Sequence, residues 1–179
     1  MESLEPAAER SPDHLLVVVS SSDQFRAEAV DFVDRLRRRS DARPGPLRFW
    51  SYTDSRDLDP AALPDFRAQV DAALGAARFG VALVTPGWCS SPDCRDEVKY
   101  MVHHKVPVVP VIQVPVQLAD PRRGVAGDDL GPLADRQMLG VRGGRPWRDY
   151  RQLDPAQRDA LALEVIQSLE RARDRPRDR

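Results

Sequence analysis

The chain of 179 residues is long enough for one domain with its own core, and its composition is that of a globular protein. Hydrophobic residues make up 41% and charged residues 31%, and the formal net charge is -1. A charge so close to zero excludes binding to nucleic acid by bulk electrostatics, although a local patch stays open. No apolar run approaches the ~20 residues of a membrane-spanning helix.

The composition and the chain start favour a cytosolic protein. The first residues are polar and acidic, without the basic and apolar regions of a signal peptide. Cys89 and Cys94 are too few for a disulfide framework, and their spacing with His103 and His104 matches no common zinc pattern. We expect no metal and no cofactor. We divide the chain into a lead-in over 1–12, one domain over 13–172 and a charged tail over 173–179.

Apolar patterning predicts strands and helices that alternate along the chain. Strands are expected over 14–19, 47–52, 81–84, 106–112 and 137–141. Helices are expected over 24–39 and from residues 66, 92 and 155. A charged loop is predicted after the second strand, and residues 114–131 have the composition of a long surface loop. Such alternation is typical of a parallel α/β sheet.

The segment Phe79–Ile112 is the clearest unit in the sequence. Two uncharged aliphatic runs, typical of strands buried on both faces, flank a segment with helical spacing. Residues 85–90 are turn-rich, Ser91 can cap the helix, and Pro92 can take its first position. The apolar residues of one helical face are Cys94, Val98, Met101 and Val102. Asp96 and Glu97 fall in the early turns, and we expect Glu97 to have solvent access there.

The predicted fold class is α/β, a flavodoxin-like three-layer sandwich around five parallel strands in the order 2-1-3-4-5. In such sheets ligands bind beyond the carboxyl ends of the strands, where the strand order reverses. Here the first and third strands end in the polar segments 20–23 and 85–90. These segments are therefore expected to meet in one crevice, beside the helix that carries Glu97.

Several motifs of other α/β proteins are absent from the sequence. There is no GxGxxG after the first strand, no phosphate-binding GxxxxGK and no GxSxG elbow. A phospho-acceptor receiver domain would need acidic residues after strand one and an Asp after strand three. Those places hold Ser20-Ser21-Ser22 and Thr85-Pro86, so this class is set aside.

Three segments together resemble the TIR (Toll/interleukin-1 receptor) domain family, bacterial type. VVVSSSD at 17–23 resembles the family's opening strand and its serine-containing exit. The segment 54–65, with Arg56-Asp57 and Pro60, resembles the loop after the second strand. LVTPGWCSSPDCRDEV at 83–98 is the most specific match, because Ser91, Cys94 and Glu97 reproduce the spacing of the family's Ser, Cys and Glu.

The resemblance implies a TIR-domain NAD+ hydrolase that cleaves the nicotinamide–ribose bond, in bacterial antiviral defence or stress signalling. Glu97 would be the catalytic residue, NAD+ the substrate, and self-association with other TIR domains a condition of activity, with a separate sensor protein as a further partner. Breaking an N-glycosidic bond generates oxocarbenium character that a carboxylate can stabilise. The candidate substrate-binding residues are Ser20, Trp50, Phe66 and Trp88.

Two alternatives stay open. Family members usually carry an aromatic residue where this chain has Ser21, and a glycine where it has Ala61. These differences motivate a non-catalytic adaptor that assembles with other TIR domains through Arg56 and Asp57 in the loop after the second strand. The other alternative is a nucleoside-processing glycosyltransferase of similar fold.

Overall fold

A computed structural model describes residues 15–45, 47–58, 65–116, 130–133, 138–140 and 148–174. Four strands and five α-helices are formed within these ranges. The strands are β1 (Leu15–Ser20), β2 (Leu47–Trp50), β3 (Phe79–Val84) and β4 (Val108–Ile112). The helices are α1 (Arg26–Asp41), α2 (Phe66–Ala76), α3 (Pro86–Ser90), α4 (Pro92–His103) and α5 (Pro155–Arg173). Short 3-10 turns lie at Asp23–Phe25, Gly131–Leu133 and Tyr150–Gln152.

The strands form one parallel sheet in the order β2-β1-β3-β4, which confirms the predicted parallel α/β sheet and the predicted order for these four strands. In the register of the sheet Val81 lies between Val19 of β1 and Val109 of β4. Every residue of β3 is buried, because helices cover both faces of the sheet. The reversal of strand order between β1 and β3 places their carboxyl ends side by side.

The five-strand count is not confirmed, because the described residues form four strands. Leu139 lies where the fifth strand was predicted, and it makes a single parallel bridge to Val111. Its N–H donates to the carbonyl of Pro110 at 2.9 Å, and its carbonyl accepts from Ile112 at 2.7 Å. Gln137 and Val141, the ends of the predicted strand, lie outside the described residues. Within the described residues, the pairing beside β4 therefore consists of the single bridge between Val111 and Leu139.

Two apolar layers pack on the sheet. On one face α1 and α5 bury residues that include Phe32, Leu36, Val165 and Leu169. On the other face α2 and α4 bury Val70, Leu74, Val98 and Met101. Helix α4 approaches β3 closely, since a Cβ added to Gly80 would lie 2.6 Å from Met101 Sδ. This contact fixes the helix that carries Glu97 directly against the central strand.

The structure corrects the prediction that residues 85–90 form a turn. Residues Pro86–Ser90 form the short helix α3, which is capped by Thr85: its hydroxyl accepts a hydrogen bond from Trp88 N at 3.0 Å. A Thr followed by Pro is a helix start, and the pattern was missed because the helix is only one turn long. Strand β2 also ends at Trp50, so that Tyr52 lies beyond the sheet. None of the described helices has the length and apolar character of a membrane span.

Candidate active site

A cleft of about 740 Å³ opens at the carboxyl ends of β1 and β3, at the predicted crevice. Its volume lies in the range of sites for small molecules and cofactors. The wall beside β1 and α3 comprises Ser22, Asp23, Gln24, Arg26, Gly87 and Ser90. The opposite wall and the floor comprise Tyr52, Leu58, Phe66, Arg67, Val70, Ser91, Asp93 and Glu97.

Helix α4 begins as the sequence predicts. Ser91 accepts a hydrogen bond from Cys94 N at 3.3 Å, and Pro92 lies in the first turn. Pro is tolerated there because its missing N–H would have no partner inside the helix. Cys94, Val98 and Met101 face the sheet and are fully buried. This orientation turns Glu97 toward the base of the cleft rather than toward solvent.

The environment of Glu97 differs from the expected one. Its side chain was predicted to have solvent access, yet the residue is 5% exposed, and Oε2 is buried without a hydrogen-bond partner. Burial raises the pKa of Glu97 to about 7, and the nearby Asp93 acts in the same direction. Hydrogen bonding by Ser20 and the charge of Arg67 lower the pKa in part. Glu97 can thus change its charge near neutral pH.

Ser20 and Trp88 do not line the cleft. Both are fully buried, and the indole N–H of Trp88 donates to Ser20 Oγ at 3.2 Å. Ser20 Oγ also lies 3.4 Å from the carbonyl of Cys94. Trp88 fills the space under α3 and cannot present a ring face to a ligand. Its role as a stacking residue is therefore not supported by its position.

Of the other two aromatic candidates, the structure brings only Phe66 to the cleft. Phe66 is 41% exposed at the start of α2. Trp50 is buried, and its indole N–H donates to the carbonyl of Asp57 at 3.1 Å, so it packs under the loop after β2. Trp50 is absent from the cleft wall.

Tyr52 is a cleft residue that the sequence analysis missed. Its ring packs edge-on against Phe66 with 5.8 Å between centroids. Its hydroxyl donates to the carbonyl of Ser21 and lies 3.6 Å from Cys94 Sγ. Burial raises the pKa of Tyr52 far above its usual range, so it stays neutral. The predicted second strand included Tyr52, whereas the observed β2 ends at Trp50. Tyr52 therefore lies beyond the sheet, where its ring can line the cleft.

Two arginines on different elements also line the cleft, and neither was singled out in the sequence. Arg26 opens α1 and pairs with Asp23 at 3.0 Å. Arg67 opens α2, pairs with Asp71 at 3.2 Å and lies 3.9 Å from Asp93. Their side chains are 55% and 61% exposed, so both guanidinium groups are accessible from the cleft side. Only the tertiary fold brings α1 and α2 to one cavity.

Arg56 and Asp57 lie in the loop after β2 and have partners within the chain. Arg37 of α1 donates to both carboxylate oxygens of Asp57, at 2.8 and 2.7 Å, and to Asp54 at 2.7 Å. Arg56 pairs with Asp54 and Asp34, both at 2.6 Å. Hydrogen bonds from Arg56 and Arg37 hold the pKa of Asp54 well below its usual range. Pro60 and Ala61 lie outside the described residues.

Comparison with known proteins identifies the fold. No protein-family model and no curated protein matches the chain. Among solved structures, the TIR domain of the Toll-related receptor TRR-2 from Hydra magnipapillata is similar, with 12% identity and a TM-score of 0.54. The match covers 86% of this chain and 97% of that domain.

The TIR domains of the activated Roq1 resistosome, which recognises the pathogen effector XopQ, are also similar, with 17% identity and a TM-score of 0.51. That match covers 87% of this chain and 99% of the other. Both similarities extend over nearly the whole of each known domain. The chain therefore has the fold of TIR domains.

Proposed function

We propose that this chain is a bacterial TIR-domain NAD+ hydrolase that breaks the nicotinamide–ribose bond at the cleft beside Glu97. The observation that carries the proposal is the state of that glutamate. Its carboxylate lines the cleft, is 5% exposed and keeps one oxygen without a hydrogen-bond partner. A buried polar atom normally has a partner, so an unpaired one at the base of a cleft supports a ligand group there.

The chemistry that this carboxylate suits is cleavage of a positively charged leaving group from a sugar. Nicotinamide takes the bonding electron pair and leaves as a neutral ring, so no acid is needed to protonate it. Positive charge then develops on the ribose, and the ionised Glu97 stabilises it from a position shielded from water. Water adds to the anomeric carbon and loses a proton, which yields ADP-ribose.

The other cleft residues support a dinucleotide as the substrate. Arg26 and Arg67 provide two guanidinium groups for the diphosphate, a ligand that arginine binds through paired N–H donors. Phe66 and Tyr52 form an aromatic surface on the α2 side, which suits the flat face of a base or of nicotinamide. This surface also compensates for the missing aromatic residue at Ser21.

The proposal includes self-association and a role in bacterial defence or stress signalling, both drawn from the resemblance. One similar structure is a TIR domain within an activated resistosome, and this supports an assembled active form. Activity is therefore expected to depend on protein concentration.

The test is direct. Concentrated protein is incubated with NAD+, and nicotinamide is followed by chromatography over a series of protein concentrations. We expect nicotinamide and ADP-ribose, in linear or cyclic form, to appear with wild-type protein and not with Glu97→Gln. Absence of turnover at all concentrations, for protein shown to be folded and assembled, would overturn the proposal.

A non-catalytic assembly module is the second candidate, and the Roq1 assembly together with Ser21 is what favours it. In that case Glu97→Gln should leave assembly intact and no nicotinamide should form under any condition. The two candidates are separated by light scattering and product analysis on the same samples.

A further inference from the structure

Gln24 is a polar residue of the cleft wall to which the proposed reaction assigns no role. It lies in the 3-10 turn Asp23–Phe25, between β1 and α1. Its carboxamide makes no hydrogen bond to any residue that the structure describes. A carboxamide has two N–H donors and one acceptor oxygen, so Gln24 retains its full capacity to bind a ligand.

The other neutral polar side chains in the described part of the wall already have partners within the chain. Ser22 pairs with the Thr85 hydroxyl, Tyr52 donates to the Ser21 carbonyl, Ser90 donates to the Pro86 carbonyl, and Ser91 caps α4. Gln24 is therefore the neutral group of this wall that is best suited to recognise an uncharged polar group of a ligand.

A glycine makes room for Gln24 on the wall. A Cβ added at Gly87 would lie 2.3 Å from Gln24 Oε1 and 3.1 Å from Gln24 Cβ. Any side chain at position 87 would therefore displace the carboxamide from the surface of α3. The turn that carries Gln24 is held at the same helix, because the Ser22 hydroxyl pairs with Thr85 Oγ1 at 3.2 Å. The carboxamide thus has a defined place beside α3.

A carboxamide is complementary to a planar group that carries a donor next to an acceptor. Two parallel hydrogen bonds form in such a pair, as when glutamine binds N6 and N7 of adenine. A nicotinamide dinucleotide offers this pattern twice, at the edge of adenine and at the carboxamide of nicotinamide. Each presents an exocyclic amino group beside an acceptor, and neither includes the ribose at which Glu97 is proposed to act.

We propose that Gln24 determines the specificity of the cleft by pairing with an exocyclic amino group and the acceptor beside it, and that Gly87 positions Gln24 for this contact. The inference deepens the proposed function and rests on it for the choice of ligand. Selectivity arises because a ligand without the amino group leaves the glutamine oxygen unpaired in the complex.

The experiment compares the binding of three dinucleotides by NMR titration. They are NAD+, an analogue with 3-acetylpyridine in place of nicotinamide, and an analogue with unsubstituted purine in place of adenine. Each analogue lacks one exocyclic amino group, and all three keep the positively charged pyridine ring. Every protein in the comparison carries Glu97→Gln, which suppresses cleavage of the ligands during the titration.

We expect NAD+ to bind roughly tenfold more tightly than one of the two analogues, and that analogue identifies the edge that Gln24 contacts. Gln24→Met keeps the length of the side chain and should abolish this preference. Gly87→Ala displaces the carboxamide and should weaken the preference as well. The double variant should show no further loss, because both substitutions remove the same contact.

Gln167→Met and Gly75→Ala are the matched controls. Gln167 is exposed on α5, and a Cβ at Gly75 would meet nothing within 4 Å, so both variants should keep the preference. Equal affinity for all three dinucleotides, a preference that persists in Gln24→Met, or no binding of NAD+ would overturn the proposal. Nicotinamide release is measured separately on protein with Glu97 intact. Turnover without a Gln24-dependent preference would refute this inference alone, and such a preference without turnover would refute the hydrolase assignment alone.

Discussion

Asp96 and Glu97 are neighbours in α4 and lie in opposite environments. The side chain of Asp96 is 60% exposed and pairs with Lys99 at 3.0 Å, whereas Glu97 is 5% exposed with one unpaired oxygen. Adjacent residues lie about 100° apart around a helix, so one faces solvent and the other faces the cleft. The pair therefore provides a matched comparison of a solvated and a buried carboxylate.

The first prediction uses this pair. Glu97→Gln keeps the shape of the side chain and removes its negative charge, so we expect NAD+ cleavage to fall by about a hundredfold or more. Asp96→Asn should retain most activity. Both rates are measured by nicotinamide release at equal protein concentration. If Asp96→Asn were inactive and Glu97→Gln were active, the assignment of Glu97 as the catalytic carboxylate would be wrong.

The second prediction concerns pH. Burial raises the pKa of Glu97 to about 7, and the proposed reaction needs the ionised form. We therefore expect kcat/KM to rise with pH to a plateau, with a midpoint near 7 set by the free enzyme. The midpoint of kcat should be lower, because bound NAD+ places a positive ring near the carboxylate. A kcat/KM that is constant across neutral pH would exclude Glu97 as the titrating group.

The third prediction concerns the effect of Glu97 on stability. The pKa of Glu97 is higher in the folded chain, about 7, than its ordinary value of 4.5, so the folded state binds the proton more tightly. Stability from this group is fully present below about pH 4.5 and is lost as pH rises toward 7. Above that pH the loss is on the order of 3 kcal/mol.

Glu97→Gln should therefore be more stable than wild type at pH 8, and the difference should shrink in acid. Urea unfolding at both pH values checks this. The free energy of unfolding should rise on substitution while activity falls, a combination that a merely structural glutamate would not produce. Equal or lower stability of Glu97→Gln at pH 8 would contradict the burial of an ionised carboxylate.

The fourth prediction concerns the loop after β2. Arg37 joins Asp54 and Asp57 to α1, and the side chain of Asp54 is only 4% exposed. We expect Arg37→Ala to cost about 2 kcal/mol, because it leaves buried carboxylate oxygens with fewer partners. Hydrogen exchange of the Ser51 amide, which donates to Asp57, should accelerate. Arg38→Ala, at an exposed position of the same helix, should change neither quantity.

This network also bears on how Asp57 is tested as an interaction residue. Asp57→Ala removes the partner of Arg37 and of Ser51 N, so loss of assembly in that variant could follow from a displaced loop. Arg56, whose side chain is 57% exposed, is the better probe of a partner contact. Assembly that survives Arg56→Ala and fails only in Asp57→Ala would indicate a structural cause.

The fifth prediction concerns Phe66. Because 41% of its surface is exposed at the cleft, Phe66→Ala should raise KM for NAD+ several-fold, with unfolding stability changed by less than about 1 kcal/mol. Trp50→Ala is the comparison: Trp50 is 8% exposed and outside the cleft, so its loss should destabilise the fold by about 3 kcal/mol or more. If KM were unchanged in Phe66→Ala, the aromatic surface would not be part of the substrate-binding site.

The sequence predicted what depends on local chemistry. Ser91 caps α4, and Pro92 fits its first turn because its φ angle is fixed. The aliphatic run of β3 indicated a strand buried on both faces, and every residue of β3 is buried. Side chains brought together by the tertiary fold were harder to find. Arg26 and Arg67 open different helices, and no spacing in the sequence indicates that they share a cavity.

For Glu97 and Trp88, the sequence did not predict how far each side chain is exposed. An early helical turn suggests solvent access, but the packing of α3 and the β1 exit over α4 buries Glu97. Trp88 carries an aromatic ring suited to stacking, but the helix formed by Pro86–Ser90 directs it inward. In both residues the chemical type was informative, and the exposure was set by neighbours distant in the sequence.

The close approach of Gly80 and Met101 makes the packing of α4 depend on a position that lies away from the cleft wall. A Cβ at position 80 would lie 2.6 Å from Met101 Sδ and 3.2 Å from the Val108 side chain. The absent methyl group leaves room for the thioether end of Met101 and for Val108, which both belong to the apolar layer under α2 and α4. Any larger residue at position 80 would therefore have to displace the Met101 side chain within this layer.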